Sequence, residues 1–294
     1  MSISLKRFGD LLYFLSDRID RGTIRKKRVK RQILERDDRW TTCRVGEFTW
    51  RLDLTQSLDN QIFNGTFEPH TTEWIYRIVK PGMIVADVGA NIGYYTIQLS
   101  KIVGTNGQVY AFEPFKAFRE RLVDHLHWNH CRNVVLSELG LSDKVVTNLP
   151  IYFAGNKSGT ATLVPLDDAS FSEAGTAHLV TFDNYVDEIS LEALDFVKVD
   201  IDGYEFRYIS GALKSLARFR PIVLMEFSHL HLLLEGSGVE ELALELKKLG
   251  YVLYSERTGK PYASRVNFLV DTMNCAYSSN VICVPEESNK DFLL

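Results

Sequence analysis

Between Val85 and Thr96 the segment VADVGANIGYYT runs an apolar stretch into Asp87, then Gly89, Ala90, Asn91 and Gly93, then a helical pattern. Strand, glycine-rich turn and helix start in one short piece place a ligand crevice at the carboxyl end of the strand. Glycine there lets backbone approach a ligand where a Cβ would clash. The next apolar run ends in AFEP, and Glu113 stands 24 residues after Gly89, close to the separation at which an acid accepts both ribose hydroxyls. A hydride-transfer enzyme would want glycine at three positions, which here hold Gly89, Asn91 and Tyr94. Asp87 before the turn would pair with an ammonium group and repel a phosphate. The ligand that fits is S-adenosylmethionine, an adenosyl group carrying an amino acid in place of pyrophosphate. The expected cofactor residues are Asp87, Gly89, Ala90, Asn91, Gly93, Tyr94, Glu113 and Asp200.

A second group of acids follows in VKVDIDGYE, Val197 to Glu205, where the strand ends at Asp200 and Gly203 allows a tight turn before Glu205. Carboxylates crowded at one strand end raise one another's pKa, and a raised carboxylate is a better base. The next strand ends in MEFSHLH and brings Glu226, His229 and His231 to the same crevice. The sulfonium methyl is already a strong electrophile, so the protein must align the partners and take a proton from a hydroxyl acceptor. The expected catalytic set is Asp200, Glu205, Glu226 and His229, with His229 favoured as base because its ordinary pKa suits the task. Plainer roles stand beside these: Asp200 positions cofactor or acceptor, Glu205 answers the helix dipole, and Glu226 holds the acceptor or caps a loop. Asp200, Asp202 and Glu205 with a histidine could hold a divalent cation, but no fixed ligand spacing supports it, and no metal is assigned. Trp40, Trp50, Tyr94, Tyr95 and Tyr204 could stack on a sugar or ring at the entrance, with packing as the default role.

The elements that carry these residues are short apolar runs alternating with helical stretches. Buried strands are expected at Met83–Val88, Gln108–Phe112, Val134–Leu139, Phe196–Val199 and Pro221–Phe227, with Tyr251–Tyr254, Val266–Val270 and Val281–Val284 finishing the sheet. Helices are expected at Gly93–Val103, Phe115–Asn129, Glu205–Leu216 and Val239–Leu249, so the order is that of a doubly wound, mostly parallel α/β sheet. Before them come a helix over residues 5–19, a hairpin over 41–54 and a helix over Thr71–Val79 that stops at Pro81-Gly82. The rhythm breaks between Val145 and Val180, read as an inserted hairpin and loop near the strand ends. The division expected is an extension over 1–70, covering the acceptor pocket, and a catalytic domain over 71–294.

The chain has 294 residues with a net charge of −4, so no global positive field draws it to nucleic acid, and nucleic acid is not expected as a partner. Arg18 to Arg39 nevertheless holds ten Lys or Arg against four Asp or Glu, and reads either as an arm that docks on a membrane or other anionic surface or as a solvated helical face. Gly and Pro total 27, which excludes collagen-like and low-complexity classes. Cys43, Cys131, Cys275 and Cys283 show no metal or disulfide spacing. Reduced thiols, no signal-peptide core and no run long enough to span a bilayer make a cytoplasmic protein the expectation.

Five segments, DVGANIGYYT (Asp87–Thr96), AFEP (Ala111–Pro114), TFDNYVDE (Thr181–Glu188), VKVDIDGYE (Val197–Glu205) and PIVLMEF (Pro221–Phe227), make the chain resemble the FkbM-like family of S-adenosylmethionine-dependent methyltransferases. The resemblance spans about half the chain in the family's order. It implies a Rossmann-like class I sheet of seven strands with the last antiparallel, and O-methyl transfer to hydroxyls of sugars, glycans or natural products. Asp202 departs from the Glu more usual in the family, a carboxylate one methylene shorter. The first 60 residues and the last 25 are not matched, so the acceptor's identity does not carry over, and the oligomeric state is open. Two rival readings remain: an NAD-dependent oxidoreductase or epimerase, opposed by Asn91 and Tyr94, and a non-catalytic adenosyl-ligand or membrane-docking module.

Overall fold

The apolar runs pair as buried strands in a computed structural model of the chain, in which the described residues are 30–37, 39–154, 161–164, 171–274 and 278–288. In chain order the elements begin with strands β1 (Arg31–Arg36), β2 (Trp40–Val45) and β3 (Phe48–Asp53) and helices α1 (Ser57–Asn64) and α2 (Pro69–Ile78). Then come β4 (Ile84–Val88), α3 (Tyr94–Val103), β5 (Gln108–Phe112), α4 (Lys116–Trp128) and β6 (Val134–Ser137). A set of strands follows, β7 (Gly140–Leu141), β8 (Val146–Ala154), β9 (Ala161–Thr162) and β10 (Phe171–Val180), ahead of α5 (Phe182–Glu188). The chain continues through β11 (Phe196–Val199), α6 (Glu205–Ser210), α7 (Leu213–Phe219), β12 (Ile222–Phe227), α8 (His229–Glu235), α9 (Val239–Lys248), β13 (Tyr251–Ser255), α10 (Arg265–Asn274) and β14 (Ser279–Pro285).

Seven strands form the main sheet in the order β13-β14-β12-β11-β4-β5-β6. All neighbours are parallel except β14, which runs antiparallel to both β12 and β13. This is the α/β fold of class I methyltransferases, the fold class expected from the sequence. From β4 the chain steps outward through β5 and β6, then returns to place β11 on the other side of β4. The strand order reverses at that point, and a crevice opens beyond the carboxyl ends of β4 and β11. Helices cover both faces, which is why β11 (FVKV) and most of β12 (IVLMEF) are buried on both sides and are apolar except at Lys198 and Glu226.

The structure corrects several elements. Val266–Val270 lies in α10, not in a strand: Val266 and Val270 stand one helical turn apart, both exposed, and Ser264 Oγ accepts the Asn267 N–H as an N-cap would. The helix expected over Glu205–Leu216 is two, broken at Gly211, where a Cβ would stand 2.0 Å from the Ser142 carbonyl oxygen. Helices α1, α5 and α8 were not foreseen, although Thr181 and Ser228 cap the last two with their side chains. The described end of the basic stretch is the exposed strand β1 paired with β2, not a helical face. The expected helix over 5–19, Arg18 to Val29 and Cys275 lie outside the described residues. Between β6 and α5 a four-stranded sheet, order β7-β10-β8-β9, stands beside the main one.

The β2–β3 hairpin is fastened to the helices behind the glycine-rich turn. Trp50 is buried, stacks on Tyr94 and meets His125 edge-on. His125 Nδ1 lies 2.8 Å from the Ile92 carbonyl and Nε2 is 3.0 Å from the Arg51 backbone N. A carbonyl only accepts, so Nδ1 carries the hydrogen and Nε2 receives one from Arg51. Burial pushes this imidazole down to about 4, and it stays neutral while it bridges hairpin and turn.

Candidate active site

Beyond the strand ends lies a cleft lined by Gly89, Asn91, Glu113, Asp200 and Asp202, with Phe115, Leu141 and Ile151 among its apolar residues. Glu113 ends β5 and is almost buried. Its Oε2 accepts the Asn91 N–H at 2.7 Å and its Oε1 the Phe115 N–H at 2.8 Å. Each oxygen keeps a further lone pair, so the carboxylate still has two acceptor sites for a diol. Burial pushes Glu113 up to about 7 against the two backbone donors. A diol-accepting carboxylate beside an apolar slot is what the ribose and adenine of S-adenosylmethionine require, and in that respect the residues present fit the group.

The glycine-rich turn also answers to the chain's own packing. At Gly89 (φ +86) a Cβ would stand 1.8 Å from the Asp200 carbonyl oxygen, so the position is glycine because the end of β11 passes against it. Gly93 (φ +93) has a Leu122 methyl 2.2 Å from the Cβ site. Ala90 donates its N–H to the Phe112 carbonyl, and Asn91 sits at φ 50 with its side-chain oxygen accepting the Ile92 N–H.

Of the expected cofactor residues, Asp87, Ala90, Gly93 and Tyr94 are not among those lining the cleft. Asp87 is buried beneath the turn, where its Oδ2 accepts the Thr96 hydroxyl at 2.5 Å; it is not among the residues lining the cleft. Burial raises its pKa against Lys198 and Thr96. The Asp87–Thr96 bond ties α3 to β4. Tyr94 points its ring at Trp50 and Phe67, toward the hairpin.

Among the catalytic candidates, Asp200 lines the cleft and its Oδ2 accepts from Lys198 Nζ at 2.8 Å. Lys198 lies in the middle of β11, is 1% exposed, and has Tyr95 under its ammonium. Burial opposes its charge, but Asp200, Glu68 and Asp87 together hold its pKa above the ordinary lysine value. Glu68, itself raised by burial, accepts the Tyr95 hydroxyl at 2.6 Å. The sequence reading passed over Lys198 and Glu68. The available signal was the charge itself, a lone lysine inside an otherwise apolar strand.

Glu205 is not placed as a base. It is wholly buried and clamps the turn after β11, taking the Ile201 N–H on Oε1 and the Gly203 N–H on Oε2, both at 3.0 Å. Burial pushes it up to about 7. His229, the favoured base, turns to α10, where its Nε2 is 3.0 Å from the Thr272 hydroxyl. His231 faces the acids instead. Two residues along a helix rotate a side chain by about 200°, so the two imidazoles of α8 look opposite ways. Asp202, Glu226 and His231 come together, with His231 Nδ1 3.7 Å from Asp202 Oδ1. Burial, then the neighbouring carboxylates, raise Asp202 and Glu226 well above the usual range. From the inserted sheet Thr162 reaches the Asp202 carbonyl at 3.3 Å. Of the aromatic residues, Tyr204 lines the cleft, whereas Trp50 and Tyr95 are packed inside.

Comparison with known proteins adds to this geometry. A model of the methyltransferase FkbM domain matches residues 87–253. The chain is 29% identical over 181 residues to the AMB antimetabolite synthetase AmbE of Pseudomonas aeruginosa, covering 50% of this chain and 8% of that protein. It is 36% identical over 85 residues to the ribosomal RNA large subunit methyltransferase E of Xanthomonas campestris, covering 28% of this chain and 40% of that one. The chain thus spans well under half the length of these curated relatives. A solved FkbM methyltransferase of Methylobacillus flagellatus KT superposes over 77% of this chain and 52% of its own at TM-score 0.43 and 16% identity. A relative named for ribosomal RNA removes support for excluding nucleic acid. Among the described residues, no helix is long and apolar enough to cross a membrane.

Proposed function

The chain belongs to the FkbM family of S-adenosylmethionine-dependent methyltransferases, and from that premise we propose that it methylates a hydroxyl on a sugar, glycan or natural product. When bound, S-adenosylmethionine supplies a methyl group on a sulfonium, which leaves as a neutral thioether. Glu113 receives the ribose hydroxyls while the turn from Gly89 to Gly93, fixed by Asp87 and Thr96, shapes the floor. Asp200 is the proton acceptor: Lys198 holds its Oδ2 in an ion pair, and Oδ1 is the oxygen left for the acceptor hydroxyl. Asp202, Glu226 and His231 stand beside it as the group that receives and orients that hydroxyl. The observation that carries the reading is a cleft with a ribose-type carboxylate at the end of β5 and an ion-paired carboxylate at the end of β11, on the far side of β4.

Isothermal titration with S-adenosylmethionine and S-adenosylhomocysteine, beside Glu113→Ala, tests the cofactor half. Binding lost in the variant supports it; no binding by the wild type to either ligand defeats it. Asp200→Asn is expected to lower turnover on a hydroxyl acceptor by about 10²–10⁴ while leaving cofactor affinity near that of the wild type. An RNA acceptor is a second reading, favoured by Trp40, whose ring has the guanidiniums of Arg39, Arg51 and Arg121 at 5.1, 5.1 and 5.2 Å. Methyl transfer to purified ribosomal RNA but to no glycan would select it.

A further inference from the structure

The fold gathers three side chains that no sequence spacing unites: Asp202 after β11, Glu226 near the end of β12 and His231 in α8. Each offers one ligating atom, and the three atoms lie within 4.8 Å of one another. They do not satisfy each other. The closest approach between His231 Nδ1 and Asp202 Oδ1, 3.7 Å, is too long for a hydrogen bond. His231 Nδ1 and Glu226 Oε2 are both buried without a hydrogen-bond partner among the described residues. Asn280, opposite Glu226 in the β12–β14 register, leaves its buried Oδ1 without one as well. Buried polar atoms are nearly always paired, and the orphaned His231 Nδ1 and Glu226 Oε2 of one cluster ask for a shared partner. The backbone is bent to bring them there. Asp202 adopts φ 49, and Gly203 adopts φ +110 with the His231 carbonyl oxygen 2.9 Å from where a Cβ would stand. With a side chain at 203, α8 could not come this close.

We propose that Asp202, Glu226 and His231 bind a divalent cation of the Mn²⁺ type, which holds the acceptor hydroxyl beside Asp200. This deepens the O-methyltransferase reading and rests on it. Two carboxylates balance the charge of a dication. Carboxylate oxygens suit Mg²⁺, Ca²⁺ and Mn²⁺, whereas imidazole suits the transition metals, so a mixed set selects an ion tolerant of both. Three protein ligands leave coordination positions for hydroxyls or water. A cation there eases the proton transfer, because coordination to a divalent metal acidifies the hydroxyl that Asp200 must deprotonate. An acceptor with two neighbouring hydroxyls, as on a sugar or catechol-like ring, suits such a site best.

The test is titration of the full chain with Mn²⁺ alone, following loss of the free-ion electron paramagnetic resonance signal, with a parallel titration of S-adenosylmethionine. One Mn²⁺ per chain is expected, weakened by more than about tenfold in His231→Ala and in Glu226→Gln, with S-adenosylmethionine affinity unchanged in both. Glu226→Gln keeps the side chain's shape, so it decides if His231→Ala fails to fold. No binding at millimolar Mn²⁺, or binding of wild-type strength in the folded variants, overturns the cation site. Failure of S-adenosylmethionine to bind the wild type defeats the enzymatic reading instead, and the Mn²⁺ arm reports separately.

Discussion

Glu113 and Glu205 are two buried acids, each pushed up to about 7 and each holding two backbone N–H groups, but only Glu113 lines the cleft. Their variants should therefore fail differently. Glu205→Ala strands the N–H groups of Ile201 and Gly203 and is expected to cost about 2–4 kcal/mol in urea unfolding; undiminished stability with lost turnover would return Glu205 to the catalytic set. For Glu113 the ionised form is the better acceptor for ribose. Cofactor affinity should fall by up to about tenfold between pH 8 and pH 6, as protonation sets in below the folded value near 7. A Glu113→Gln protein with the same slope would detach that dependence from this residue. Without ligand the sign is opposite: a carboxyl raised from the ordinary 4.5 to about 7 stabilises the fold in its protonated form, and that contribution is lost as pH rises through this window. Lys198 is the third residue whose loss is diagnostic. Lys198→Met leaves Asp200, Glu68 and Asp87 without their buried cation and should cost about 3–5 kcal/mol at pH 8. The loss should shrink at lower pH, where Glu68 and Asp87, both raised by burial, take up protons; an equal loss at both pH values would mean lost packing rather than lost charge.

At the scale of elements, the turn between β4 and α3 is where chain geometry and ligand site coincide. Gly82 and Gly89 share φ +86, but nothing lies within 4 Å of a Cβ at Gly82, whereas at Gly89 the Asp200 carbonyl does. The pair separates backbone conformation from close approach. Gly82→Ala is expected to cost about 1–2 kcal/mol for the left-handed backbone alone. Gly89→Ala should add about 1–3 kcal/mol of overpacking and weaken S-adenosylmethionine binding in calorimetry, because β11 must retreat from β4. Equal costs and intact binding would show that the strand end yields freely. This part of the site was legible in sequence because it is local: apolar run, glycine turn and helix start are adjacent along the chain. α8 was not legible. Its Ser228 cap was present in the sequence, but seven residues hold too little periodicity to set a helix apart from a loop.

Across the whole molecule, the hairpin before the main sheet belongs to the same packed body. Trp50 lies between Tyr94 of α3 and His125 of α4, and Arg121 donates to the Arg51 carbonyl and the buried Asp59 carboxylate. Trp50→Ala is expected to cost about 3–5 kcal/mol, with hairpin and sheet unfolding in one transition by fluorescence and circular dichroism. Two transitions would make the hairpin an independent unit. The sequence by itself determined the βα order, the strand ends carrying Gly89, Glu113 and Asp200, and through them the cofactor, because those features are written in periodicity and short spacing. Tertiary structure alone decided which acids are spent on backbone and which face the cleft, that His231 and not His229 turns to them, and that Lys198 sits beneath Asp200. The reason is physical: a side chain's direction on a helix is fixed only when one face is packed. A carboxylate's partners, in turn, are set by strands adjacent in space and far apart along the chain.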